Sequence, residues 1–139
     1  MPDIKGNDRA IELILRVSKI IAVVGHSEKP TRASYRVANF LRSIGYKVYP
    51  VNPKVAAIDG QICYPSLEEI PESVDIVNVF RHSDYLPEIV DSAIAIGART
   101  LWTQLGIYHE GAAKRAIDAG LNVITDVCIQ IEYQRLRIE

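Results

Sequence analysis

The sequence predicts an α/β protein, a doubly wound parallel sheet of about five to six strands with helices on both faces. Three observations predict it. Apolar runs of strand length at 20–24, 46–49, 74–80, 100–103 and 122–125 alternate with segments whose apolar residues recur at helical spacing. Glycines 25, 45, 97 and 120 punctuate the boundaries between them. The run at 74–80 is apolar at Val74, Ile76, Val77, Val79 and Phe80, with no strict alternation, as expected of a strand buried on both faces of a parallel sheet. With 139 residues, 48% of them hydrophobic and 24% charged, the chain is expected to be one domain, 1–139. Such a length buries roughly two-thirds of the unfolded surface.

Asn7 is a suitable N-cap for a helix through Val17, where Ala10, Ile11, Ile14 and Leu15 form a stripe expected to pack on the sheet edge. The first strand stops at Gly25, and Val37, Phe40, Leu41 and Ile44 mark a helix that Gly45 ends. A second strand, 46–49, runs into the turn Pro50-Val51-Asn52-Pro53 and completes a βαβ unit. In the connection that follows, 62–64 reads as a brief edge strand between Gly60 and Pro65. Ser66, with Glu69 three positions on, has the pattern of a capping box for a short helix that Pro71 ends. The strand at 74–80 leads into Arg81, and Ser83 or Asp84 is expected to cap a helix through Ile96 with Pro87 in its first turn. A strand at 100–103, a turn at Leu105-Gly106, a helix over 110–119 and a strand at 122–125 follow. In the tail, Ile129, Tyr133 and Leu136 have helical spacing while Ile129, Ile131 and Tyr133 alternate, and the segment is read as a helix.

In such sheets ligands bind at the carboxyl ends of the strands, where the strand order reverses. The turn after the first strand would bring free N–H groups and a helix N-terminus to one place, which favours an anion. Charge supports this. Residues 29–58 hold Lys29, Arg32, Arg36, Arg42, Lys47 and Lys54 and no acid, a charge of +6 against −7 for the rest of the chain. Arg36, Arg42 and Lys47 are expected on a solvated face, whereas Lys29, Arg32 and Lys54 flank the turns. A local excess in a near-neutral chain suits a small polyanion better than nucleic acid.

No run approaches the ~18 apolar residues that span a bilayer, and the first ten residues look like neither a signal nor a transit peptide. A soluble, cytoplasmic protein with no membrane partner is expected. Cys63 and Cys128 form no CxxC, and His26, His82 and His109 are scattered, so neither a metal site nor a nucleophile with its base is expected.

The layout is Rossmann-like, yet Gly25-His26-Ser27-Glu28-Lys29-Pro30 keeps only the first glycine of GxGxxG, and the acid that would hold the ribose of NAD falls in the acid-free window. NADP is compatible, because Asn52-Pro53-Lys54 can present a cation to a phosphate on either the 2′ or the 3′ oxygen of a ribose.

The segments AVVGHSEKPTRASYRVANFL, GYKVYPVNPK, VFRHSD, LWTQLGI and DVCIQIEYQRL, in this order across about 19–136, resemble the small single-domain coenzyme A-binding proteins. These are similar to the amino-terminal domain of the succinyl-CoA synthetase α subunit. The resemblance implies that Gly25, His26, Ser27 and Lys29 meet phosphate, and the charge pattern adds Arg32 beside them. It places Asn52, Pro53 and Lys54 beside the adenosine and its 3′-phosphate, and Phe80, Arg81 and Gln104 along the pantetheine. Many family members carry arginine at the position of Val127, and some carry methionine at that of Thr103. In the synthetase the corresponding domain only holds CoA, and the phosphohistidine lies in the following domain. Binding of coenzyme A or an acyl-CoA without chemistry is therefore implied, as a carrier, sensor or accessory subunit. The alternatives are a small NADP-dependent oxidoreductase and the CoA-binding subunit of an acyl-CoA ligase with a partner chain.

Overall fold

The computed structural model describes residues 3–138; Met1, Pro2 and Glu139, part of the expected domain, lie outside the described residues. The described residues form five α-helices: α1 (Asp8–Val17), α2 (Ala33–Ser43), α3 (Leu86–Ala95), α4 (Glu110–Asp118) and α5 (Ile129–Arg135). The strands are β1 (Ile20–Val24), β2 (Lys47–Val51), β3 (Ala57–Ile58), β4 (Gln61–Ile62), β5 (Ile76–Val79), β6 (Thr100–Thr103) and β7 (Asn122–Ile124). One sheet holds five of them in the order β2-β1-β5-β6-β7, every pair parallel.

Alternation along each strand sorts the core into two layers. Ile21 and Val23 of β1, Ile76 of β5, Trp102 of β6 and Ile124 of β7 face α1, α2 and α5 through Ile11, Leu15, Val37, Leu41 and Ile129. Ala22, Val24, Val77, Val79, Leu101 and Val123 face α3 and α4 through Leu86, Val90, Ala113 and Ala116. Burial on both sides explains the unbroken apolar strands. The stripe of α1 lies in the first of these layers, and ahead of it Ile4 N–H donates to Val123 O at 2.9 Å, along the outer edge of β7. Among the described residues, no helix is long and apolar enough to cross a membrane.

Several local expectations are corrected. The second strand runs through Pro50, because β2 is the outer strand. Pro50 O accepts Tyr64 N–H at 2.9 Å on the side away from β1, so the missing N–H would have faced outward, where a ladder bond is not needed. The edge strand expected at 62–64 is instead the β3–β4 hairpin, turned at Asp59 (φ 49°) and Gly60 (φ 81°), followed by a single Tyr64 bridge to Val51. The Ser66 side chain makes no cap bond, and the helix there is one 3-10 turn, Leu67–Glu69. Neither Ser83 nor Asp84 caps α3. His82 Nδ1 accepts Asp84 N–H at 3.1 Å and starts a 3-10 turn, Ser83–Tyr85, that runs into the helix. Ser83 Oγ accepts Tyr108 N–H at 2.9 Å instead, tying two carboxyl-edge loops together.

Candidate functional site

The strand order reverses between β1 and β5, because the chain leaves β1 through α2 toward β2 and returns on the other side. Gly25 ends β1 there with φ 89°, its N–H donating to Val51 O at 2.8 Å. A Cβ at this position would lie 2.9 Å from Arg81 Cγ. The loop then folds on its own polar atoms. Ser27 N–H donates to Ser34 Oγ at 2.9 Å, and Lys29 N–H to Ser27 Oγ at 3.0 Å. Arg32 stands at the N-cap of α2, where no side chain caps the helix and no acid occupies its first turn. The positive end of α2 is thus left to whatever anion approaches.

A cleft of about 440 Å³ opens at this point, lined by Gly25, Ser27, Lys29, Arg32, Asn52 and Phe80 together with Glu28, Ala33, Ser34 and Val55. Six of the expected residues are brought together. A second cleft of about 250 Å³ takes Pro53 and Arg81, with Val24, Val51, Ser66, Leu67, Glu88, Ile89 and Ser92 among its walls. The chain divides neighbours between the two: Gly25, Asn52 and Phe80 face the first, while Val24, Pro53 and Arg81 face the second. Arg81 stacks on Tyr85 with its guanidinium carbon 3.9 Å from the ring centre. Sequence reasoning missed Glu28 and Ser34 in the first cleft and, in the second, the wall residues other than Pro53 and Arg81. Ser34, in the first turn of α2, was the one with a local signal.

Three expected residues line neither cleft. Lys54 is exposed, its N–H donating to Asn52 Oδ1 at 3.0 Å. Gln104 follows β6, its N–H bonded to Val79 O at 3.0 Å, and its Oε1 is buried without a donor among the described residues. His26 turns inward and is fully buried: its Nδ1 lies 2.8 Å from Ser27 O, and its Nε2 3.1 Å from Arg42 Nη2. Burial, chiefly, and then the Arg42 charge hold its pKa below the ordinary 6.5.

The six cations divide by their partners. Arg42, expected on a solvated face, is instead half-buried, because its guanidinium binds the buried His26 ring and Gln61 as well as Asn39; Arg36 donates to Thr31 O, and Lys47 pairs with Glu72. Among the described residues, Lys29, Arg32 and Lys54 have no acid within 4.0 Å. The one acid in the first cleft, Glu28, stands immediately before the acid-free window. At the two positions of departure, Thr103 joins loops, donating to Ile107 O at 2.6 Å and accepting Asp126 N–H at 2.9 Å. Val127 contributes its carbonyl, which accepts Trp102 Nε1–H at 2.9 Å. Cys63 is buried and its thiol pKa is pushed up by burial, whereas Cys128 is partly exposed.

Residues 19–134 match the family model described as CoA binding domain. The chain is 39% identical over 123 residues to the uncharacterized protein YneT of Bacillus subtilis, covering 88% of this chain and 91% of that one. The solved structure of a hypothetical protein from Pyrococcus horikoshii OT3 superposes with a TM-score of 0.93 at 39% identity, covering 99% of this chain and 97% of that chain. An acetate–CoA ligase [ADP-forming] I from Archaeoglobus fulgidus is 36% identical over 73 residues, 52% of this chain but only 11% of the ligase.

Proposed function

Since the chain belongs to the CoA-binding domain family, we propose that it binds coenzyme A or an acyl-CoA without transforming it, as a carrier, sensor or accessory subunit. The observation that carries this reading is the first cleft, where an uncapped helix N-terminus meets Lys29 and Arg32, neither paired with an acid among the described residues. Pyrophosphate would lie there, against Ser27 and the first turn of α2. Asn52, Pro53 and Lys54 would border the adenosine and its 3′-phosphate, with the base in the second cleft between Pro53 and Arg81. The pantetheine would leave past Phe80 and Gln104, whose buried Oε1 lacks a donor among the described residues and suits an amide N–H. The absence of a chemical step is supported by the histidines, each of which has a ring nitrogen engaged by the protein's own groups. His26 binds Arg42, His82 accepts Asp84 N–H, and His109 Nδ1 accepts Ala112 N–H at 3.0 Å to cap α4.

Calorimetric titration with CoA, dephospho-CoA, NADP and NAD tests the reading. Losing one charge-assisted phosphate contact costs roughly 1.5 to 3 kcal/mol, or about 10- to 100-fold in affinity. CoA should bind tightest and dephospho-CoA weaker by that factor, and Lys54→Ala should remove most of the difference. Tighter binding of NADP than of CoA would replace this reading with the oxidoreductase one. A second reading, in which a partner chain uses the bound CoA, is supported by the Archaeoglobus ligase, where the matched part is a small fraction of the whole protein. Isolation of the native protein with a ligase chain would favour it.

A further inference from the structure

We infer that His26, Arg42 and Gln61 form a latch that positions the anion loop and the Asn52–Lys54 segment for the ligand, and that the latch opens when His26 takes up a proton. The inference rests on the CoA-binding reading for its consequence, though the latch itself is present without ligand.

The hydrogen bonds fix the protonation state. Ser27 O can only accept, so His26 Nδ1, 2.8 Å away, carries the proton. Arg42 Nη2 can only donate, so His26 Nε2, 3.1 Å away, is bare. The same Arg42 nitrogen donates to Gln61 Oε1 at 3.1 Å, and Gln61 Nε2 donates to Val48 O at 2.7 Å. One chain of bonds therefore runs from the anion loop through α2 to the β3–β4 hairpin and the outer strand. On the other side of the same residue, His26 O accepts Asn52 Nδ2–H at 3.1 Å, and Asn52 Oδ1 accepts Lys54 N–H. Both walls of the first cleft are thus referred to His26.

A proton added at Nε2 would set two donors against each other, with an imidazolium beside a guanidinium. The charged and titratable groups around the ring are Arg42 and Tyr35 on α2 and Asp59 in the hairpin turn. Asp59 is already engaged by the Tyr35 hydroxyl at 2.5 Å, so Arg42 is the group in bonding contact with the ring. Protonation expels Arg42, and Arg42 in leaving releases Gln61 and the hairpin. The sign follows from the folded pKa lying below the unfolded value of 6.5. The latch is closed above that pH and is lost as pH falls through the folded pKa.

The test compares wild type with His26→Gln, which keeps an acceptor for Arg42 but does not titrate, and with Arg42→Met. CoA affinity is measured from about pH 8 to about pH 5.5, the range in which histidine changes charge. Because phosphate on the ligand titrates near pH 6, the decisive quantity is the difference in slope between wild type and His26→Gln. Wild type should lose at least about fivefold more affinity across the range, the lower end of ordinary coupling between two sites. In ligand-free wild type, amide exchange over residues 59–63 should quicken as pH falls, after correction for intrinsic rates. In folded Arg42→Met it should be fast throughout. Nitrogen NMR of the ring should report the Nδ1–H tautomer at neutral pH. Equal slopes in wild type and His26→Gln, an imidazolium at neutral pH, or unchanged hairpin exchange would each overturn the latch. Failure of wild type to bind CoA at any pH would instead overturn the functional reading, with exchange and NMR still judging the latch.

Discussion

Gly25 is fixed by two independent constraints, a left-handed φ of 89° and the Arg81 side chain lying where its Cβ would be. Gly25→Ala should cost about 1 to 3 kcal/mol of stability, measured by urea unfolding, and should weaken CoA binding as Arg81 is displaced. Stability within error of wild type would mean that the turn relaxes at no cost. That glycine was legible because a strand that stops at glycine before a helix has few other uses. Position also separated Lys29, Arg32 and Lys54, which flank turns and lack acidic partners among the described residues, from Arg36, Arg42 and Lys47, which are engaged elsewhere. His26 was legible only as a member of the turn. Whether its ring faces the ligand or the core depends on Arg42, 16 positions away, and on Gln61, a further 19 positions beyond Arg42, and local sequence carries no record of that meeting.

At the scale of elements, α2 begins badly for a helix and well for an anion site. Arginine is a poor N-cap, and the first turn has no acid to complement the dipole. Arg32→Ser should therefore stabilise the protein by about 1 kcal/mol while weakening CoA binding. Thermal unfolding and titration of the same variant check both signs, and a loss of stability would show that Arg32 has a structural role. The elements read most reliably were those whose burial enforces a period, as in the core strands and α1 to α4. Short pieces were misread where side chains found distant partners. Ser83 gave its oxygen to Tyr108, so the local capping rule lost to a tie between loops. The Asp59-Gly60 pair did carry a local signal, the left-handed turn of a tight hairpin, which reasoning centred on the apolar triplet beside it passed over.

For the whole molecule the governing feature is segregation of charge in a chain of net −1, with +6 confined to residues 29–58. The fold carries part of that excess to one end of the sheet, where helix α2 adds its own partial charge at the same place. Packing of the two layers involves almost none of these cations, so ligand affinity and fold stability should respond differently to salt. Raising NaCl from about 0.05 M to about 0.5 M shortens the screening length from about 14 Å to about 4 Å. CoA affinity should fall at least several-fold over that range, because exposed Lys29, Arg32 and Lys54 act through solvent. The melting temperature of the ligand-free protein should stay nearly constant, since its core is apolar and its ion pairs are mostly exposed. Lys29→Ala should lower the salt sensitivity of binding as well as the affinity, whereas Arg36→Ala, whose guanidinium is tied to Thr31 O, should change neither by much. Salt-independent CoA binding would mean that the phosphates are held by buried dipoles alone, and the three acid-free cations would then have no part in recognition.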